Sequence, residues 1–167
     1  WFPGEVKQYR DLLALTDGTK GKLIAKTSLE WAFRRDPNDT GLSGGWAYRD
    51  ADLSWWKSQK DKSGTAVHQS NPGHWEMLRT DLYMQAQGVI SPDFHSYTGH
   101  AWYRTDMDLK VADTHGKVPL MFPGLFNECW LYVNGHLVAH REQKAMWWYN
   151  DYKFEWDIDL TGKLKAG

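Results

Sequence analysis

A chain of 167 residues has the length of one domain and is long enough to bury a substantial core. Its 20 basic and 21 acidic residues are interspersed and leave a net charge of −1, so nothing in the sequence indicates binding to nucleic acid or to a membrane surface. The apolar runs are only a few residues long, which is too short for a transmembrane helix, so none is expected.

Aromatic side chains are unusually abundant, with 11 tryptophans and 8 tyrosines in the chain. This surplus suits sugar binding, because a pyranose ring presents C–H groups that stack on an aromatic face. It suits aromatic packing between two β-sheets equally well, so composition leaves both uses open.

The first 28 residues carry the weakest pattern. Apolar residues near helical spacing predict a short helix or an irregular lead over Glu5–Leu15, which Thr16-Asp17-Gly18 would end. Lys22–Lys26 is a candidate edge strand. Because the sequence starts at Trp1 rather than Met, we expect that residues before it were removed or lie outside it.

Alternation predicts the first strand over residues 29–34, where one parity is apolar. Turn-forming residues at 36–41 end this strand. Polar residues at 57–73 predict a surface loop, and a short strand is expected within 74–82. An irregular stretch over 83–100 then leads to the centre of the chain. The apolar parity of the first strand consists of Leu29, Trp31 and Phe33.

Three strand-like runs follow one another over residues 97–135. The first, over 101–109, alternates between a predicted core face and an opposite face that carries Trp102 and Arg104. The second, over 118–122, stops at a Pro-Gly pair, which punctuates a strand. The predicted core residues of the first run are Ala101, Tyr103, Thr105, Met107 and Leu109.

The third run, 129–133, ends in Asn134-Gly135, with His136–His140 as the predicted returning strand. Asn-Gly between alternating runs is the strongest short hairpin signal, because a type I′ turn needs positive φ at both central residues. Cys129 is the only cysteine, so no intrachain disulfide forms and the cellular compartment stays open. Its strand position predicts a small core residue rather than a reactive thiol.

The stretch G-x-A-W-Y-R, followed after a strand and a turn by W-L-Y-V-N-G-H-L-V-A-H, resembles the galactose-binding-like jelly-roll domain of β-galactosidase- and β-glucuronidase-type glycoside hydrolases. The resemblance covers residues 29–167, with L-E-W-A-F-R-R-D-P and G-W-A-Y-R-D-A-D-L-S-W-W as its N-terminal part. It implies an all-β jelly-roll sandwich of about eight antiparallel strands, with residues 1–28 as a lead packed on it. Such domains continue with another strand after the turn at 161–163. We therefore expect one of three situations: the sequence is truncated relative to its parent, the last strand escapes recognition, or the sandwich is closed by other means.

The resemblance makes the 83–100 loop a candidate ligand region, since the matching segment of the hydrolases reaches toward a catalytic barrel on another domain. Asp93, His95 and Tyr97 are the polar groups that this loop can present to a ligand. The alternative is that Tyr97 packs at the base of the loop and His95 is simply exposed.

The 140–151 loop is the second candidate ligand region, because it carries Trp147, Trp148 and Tyr149 in succession. Neighbouring strand residues point in opposite directions, so at least one of these rings should be exposed or covered by a partner. Residues 152–160 then alternate strictly and predict a long strand.

Trp102 and Arg104 share the face opposite the predicted core. Together they form a plausible sugar platform, in which the indole stacks and the guanidinium donates to hydroxyl oxygens. The alternative is an interface with a neighbouring domain or a cover for the second sheet face. The same interpretations, a sugar platform or an interface or cover, are open for Trp130 and Tyr132.

Asp50 and Asp52 lie in one loop and are candidate oxygen ligands for a structural calcium ion. The alternative is that they cap turns. No histidine or cysteine spacing fits zinc, and the sequence indicates no other cofactor.

No pair of carboxylates with a recognisable context supports catalysis by this chain alone, and hydrolase, nucleotide and phosphate motifs are missing from the sequence. We therefore expect a non-catalytic, carbohydrate-binding module of a carbohydrate-active protein, with a glycan as its ligand. Two alternatives stay open. One is the N-terminal domain of a β-galactosidase-type hydrolase, which completes an active site on another domain. The other is a structural sandwich that docks onto neighbouring domains of a larger hydrolase without binding sugar.

Overall fold

The computed structural model describes residues 22–59, 71–90, 95–110, 116–125, 128–143 and 156–167. Strands dominate this part of the chain, and every pairing between them is antiparallel, as expected for an all-β protein. The described residues form seven strands, β1 (Glu30–Asp36), β2 (Glu76–Arg79), β3 (His100–Arg104), β4 (Pro119–Phe122), β5 (Cys129–Val133), β6 (His136–Arg141) and β7 (Trp156–Asp159). The helical elements are α1 (Ser54–Ser58) and a 3₁₀ turn (Met84–Gln87). None of the described helices has the length and apolarity needed to cross a membrane.

The chain divides into two compact units, one over 27–107 and one that joins 1–26 to 108–167. The first unit is built on a three-stranded sheet in the order β2-β1-β3. In this sheet Trp31 lies opposite Leu78 on one side, and Phe33 lies opposite Tyr103 on the other. The predicted first strand and the short strand that follows it are therefore confirmed.

One face of this sheet carries the hydrophobic core of the first unit. Phe33 and Leu78 lie on it because they share its parity, and Val89 and Tyr97, from the described residues between β2 and β3, pack against them. Met84 and Ala101 pack at the edge of this cluster. Burial of such side chains supplies most of the driving force for folding.

The opposite face is covered by the segment that follows β1, and its core is made of tryptophan. The ring of Trp46 lies 5.7 Å from that of Trp75 and 6.2 Å from that of Trp102, measured between ring centroids. The Arg34 guanidinium carbon stands 4.1 Å from the Trp46 ring centroid. A sheet buried on both faces explains why consecutive positions of β1, such as Ala32 and Phe33, are both apolar and buried.

The second unit contains two strand pairs, β4 with β7 and β5 with β6. The β5–β6 hairpin turns at Asn134-Gly135, whose φ angles are 49° and 81°, as the Asn-Gly prediction requires. In the other pair Leu120 faces Ile158, which is buried together with Val118.

Several expectations were wrong in detail. Lys22–Lys26 forms no strand, and a short helix occupies Ser54–Ser58, where the sequence predicted a loop. The central strand ends at Arg104 rather than Leu109, because a run of aspartates with low β-propensity follows it. Tyr103 lies on the core side and packs on Phe33, with ring centroids 5.0 Å apart, yet it is 40% exposed.

Other expectations fall partly or wholly outside the described residues. The helical lead over Glu5–Leu15 is among them, as is the first part of the strand predicted over 152–160. Its described part, β7, alternates as expected.

Candidate functional site

Trp102, a predicted sugar platform, is half-buried in the tryptophan core of the first unit. Its indole Nε1 donates a hydrogen bond of 3.0 Å to Oδ2 of Asp36. Asp36 belongs to β1 and lies on the same face of the sheet as Trp102. The Trp102 ring meets the ring of Trp46 nearly at right angles. This placement fits the second reading of Trp102, as part of the cover of the second sheet face.

Asp36 is the polar centre of this face and is only 2% exposed. Besides the indole, it accepts hydrogen bonds from the backbone N–H groups of Thr40 and Gly41, at 2.8 and 2.7 Å. Burial acts to raise the pKa of Asp36, but these donors outweigh it and the pKa is lowered from its usual value. A buried carboxylate is thereby kept ionised by the turn that follows its own strand.

Arg104, paired with Trp102 in the sequence prediction, is brought together with the candidate calcium ligand Asp50. The guanidinium Nη2 lies 3.1 Å from Oδ1 of Asp50 and 3.3 Å from Oδ1 of Asp106. The Asp50 side chain is 98% exposed. Asp52 accepts a hydrogen bond from the backbone N–H of Ser54, the first residue of α1. Both aspartates thus have partners within the protein, and no cluster of three or more metal-ligating side chains occurs among the described residues.

Within the described residues of the predicted 83–100 loop, Ile90 and Ser96 form an antiparallel β-bridge. Tyr97 is buried in the core beneath it, and its hydroxyl donates to the carbonyl oxygen of His100 at 2.7 Å. Arg35 donates to the carbonyl oxygen of Ile90 at 3.0 Å and so fixes the start of the loop. His95 is exposed. This position agrees with the alternative stated above, in which Tyr97 packs at the base of the loop rather than binding a ligand.

Four predicted ligand residues lie outside the described part of the chain. They are Asp93, Trp147, Trp148 and Tyr149.

The hairpin of the second unit presents a different aromatic surface, formed by Trp130, His140 and Glu128 and called here the indole platform. The rings of Trp130 and His140 lie almost parallel, 9° from coplanar, with centroids 4.8 Å apart. Nε2 of His140 is 2.8 Å from Oε1 of Glu128. Trp130 is 40% exposed, in contrast to the tryptophans of the first unit.

A β-bulge in the hairpin assembles the indole platform. Val133 pairs with His136 next to the turn, and in a regular ladder this register would set Ala139 opposite Trp130. The register shifts between Leu131 and Tyr132, so His140 faces Trp130 instead. Bulges re-aim side chains in this way and are frequent beside binding sites.

The indole platform combines an aromatic face with two polar groups that form hydrogen bonds. An indole face stacks on the C–H groups of a sugar ring, and the carboxylate and the imidazole accept hydrogen bonds from hydroxyl groups. The sequence left two interpretations of Trp130 open, a sugar platform or an internal contact, and it did not identify Glu128 or His140 as candidate ligand residues. The hairpin signal located both strands, but the bulge that pairs His140 with Trp130 leaves no sequence signal of its own.

Cys129 precedes the indole platform and is half-buried. Burial raises the pKa of its thiol to about 11, against a smaller lowering by Arg141 across the hairpin. This agrees with the prediction that Cys129 is not a reactive thiol.

Comparison with models of known protein families gave no match, and comparison with curated proteins gave none either.

Proposed function

We propose that the chain is a non-catalytic carbohydrate-binding domain of a carbohydrate-active protein, with a galactose-binding-like jelly-roll fold, and that it holds a glycan at the indole platform. The observation that carries this proposal is the exposed Trp130 ring, ordered by a parallel stack on His140 beside the Glu128 carboxylate. Aromatic faces flanked by a few polar groups are the usual composition of small-ligand sites.

Contrast with the first unit supports this choice among the tryptophans. Trp46 contacts both Trp75 and Trp102, and these three tryptophans have internal structural roles. Trp130 instead contributes to the surface, where its ring is fixed before a ligand arrives. A preorganised ring loses little conformational entropy on binding, which raises affinity. The platform also directly precedes the predicted aromatic loop at 140–151.

The test is a glycan-array screen of the chain, followed by titration calorimetry of every hit. We expect saturable binding that Trp130→Ala weakens at least about tenfold, because stacking on one aromatic ring contributes on the order of 1 kcal/mol or more. Tyr48→Ala is the matched control, since Tyr48 is an exposed aromatic residue of the other unit and lies outside both candidate ligand loops. Binding that survives Trp130→Ala would move the site elsewhere.

A second candidate function is structural, and the tryptophan core of the first unit favours it. Three of the 11 tryptophans serve internal packing there, so part of the aromatic surplus needs no ligand. In this reading the chain docks within a larger β-galactosidase-type hydrolase, and the indole platform meets a neighbouring domain or completes its active site. A folded chain that binds no glycan on the array would support this second function.

A further inference from the structure

The polar groups of the indole platform restrict which sugars it accepts. A carboxylate only accepts hydrogen bonds, so the contact between His140 and Glu128 requires the proton on Nε2 of the imidazole. With the imidazole neutral, Nδ1 then carries a lone pair and is an acceptor as well. Nδ1 of His140 and Oε2 of Glu128 have no hydrogen-bond partner among the described residues. The Glu128 carboxylate is therefore an acceptor, and the imidazole stacked on the indole is a second acceptor in its unprotonated form.

The negative charge of Glu128 also favours ligands that donate hydrogen bonds. Glu128 gives the platform a negative charge while His140 is neutral, and its side chain is 39% exposed. Arg141 follows His140 but belongs to the other face of the hairpin, where Nη1 donates to the carbonyl oxygen of Leu125 at 3.2 Å. Lys163 donates to the carbonyl oxygen of Val138 at 3.3 Å. Both cations thus donate to backbone carbonyls of the second unit, whereas the Glu128 carboxylate contacts His140.

We propose that the indole platform selects sugars that donate hydrogen bonds, with amino sugars bound more tightly than neutral ones, and that it rejects acidic sugars. This inference rests on the proposed function and adds the substrate class. An ammonium group offers three donors and a positive charge to two acceptors. A uronic acid adds a second carboxylate to the site. This group cannot donate a hydrogen bond to the two acceptors, and its negative charge is repelled by that of Glu128.

The test uses sensor surfaces densely coated with galactose, galactosamine or galacturonic acid, and with the corresponding three sugars of the gluco series, at neutral pH and low salt. The dense coating presents many sugars, so that even a weakly binding chain gives a measurable signal. We expect galactosamine or glucosamine to bind about threefold to fivefold more tightly than the neutral sugar, the order expected for one exposed charge contact. The acidic sugar should bind more weakly than the neutral one by a similar factor. Added salt should reduce both differences.

The decisive variant is Glu128→Gln, which keeps the size of the side chain and removes its charge. We expect the ratio of amino-sugar to acidic-sugar affinity to fall by about tenfold, as both charge contacts are lost. Glu30→Gln, at an exposed position of the other unit, should leave the ratio unchanged.

The outcomes separate the two proposals. Sugar binding that needs Trp130 but shows no dependence on ligand charge, or a ratio that Glu128→Gln leaves unchanged, overturns the inference and keeps the proposed function. Tighter binding of the acidic sugars overturns the inference as well. No binding to any of the six surfaces by a folded chain overturns both.

Discussion

Trp102 and Asp36 are joined by a hydrogen bond from the indole Nε1 to Oδ2, although 66 residues separate them in sequence. The bond ties the edge strand β3 to the central strand β1 and fixes the position of the turn over 40–41. The tryptophan therefore stabilises the fold through its polar edge as well as through its apolar ring. Because these groups hold one another in place, we expect even a small substitution within this network to destabilise the first unit.

Gly41 is the first test of that network. A Cβ atom at this position would lie 2.2 Å from Nε1 of Trp102 and 2.6 Å from Oδ2 of Asp36, so the hydrogen bond between them must move. We expect Gly41→Ala to lower the free energy of unfolding by about 2–4 kcal/mol, from overpacking together with a weakened bond to a charged group. Urea denaturation followed by fluorescence measures this change.

Gly124→Ala is the matched control, because a Cβ atom there would meet no atom within 4 Å. It should change the unfolding free energy by less than about 0.5 kcal/mol. Equal effects of the two substitutions would contradict the described packing around Gly41.

Asp36 should make the stability depend on acid pH. Its pKa is lowered in the folded chain, so the unfolded chain binds the proton more tightly. The contribution of Asp36 is therefore complete above the ordinary range of a carboxyl group, near pH 4, and is lost as the pH falls through the lowered pKa. Asp36→Asn should destabilise the protein by about 1–3 kcal/mol at pH 7.

The measurement is the unfolding free energy between pH 7 and pH 2.5 for the wild type and Asp36→Asn. The difference between the two proteins should shrink at acid pH, and taking the difference removes the contributions of other acidic groups such as Asp159. A difference that grows as the pH falls would contradict a folded state that favours the ionised form of Asp36.

Cys129 should react slowly with alkylating reagents in the folded chain. Its pKa of about 11 leaves little thiolate at pH 8, whereas an exposed thiol is partly ionised there. We expect iodoacetamide to label the native protein about a hundredfold more slowly than the urea-unfolded protein, as followed by intact-mass spectrometry. Comparable rates in the two states would place the thiol in solvent.

Local signals in the sequence predicted the elements that depend on local chemistry. Asn134-Gly135 located the hairpin because few other pairs adopt two consecutive positive φ angles. Alternation around Trp31 and Phe33 located β1, since one face of that strand packs on the core. The same alternation extended β3 too far, because apolar residues at 107 and 109 mimic a strand that the intervening aspartates do not sustain.

Contacts between distant parts of the chain could not be predicted in the same way. Trp102 has the residue type and parity of a sugar platform, and only the position of Asp36 and Trp46 shows that it packs internally. The partner of Trp130 depends on a bulge that shifts the ladder by one residue. Residue type thus identified the aromatic residues worth considering, whereas register and burial decided which of them lies exposed at the surface.

The measurement that tests the central claim most directly is a titration of the ¹⁵N-labelled chain with a glycan that it binds, followed through the tryptophan indole N–H signals. The Trp130 signal is assigned by its loss in Trp130→Phe. We expect a saturable shift of this signal, while the signal of Trp102, which is hydrogen-bonded to Asp36, stays in place. Saturable binding that leaves the Trp130 signal unmoved would contradict the claim that the indole platform holds the sugar.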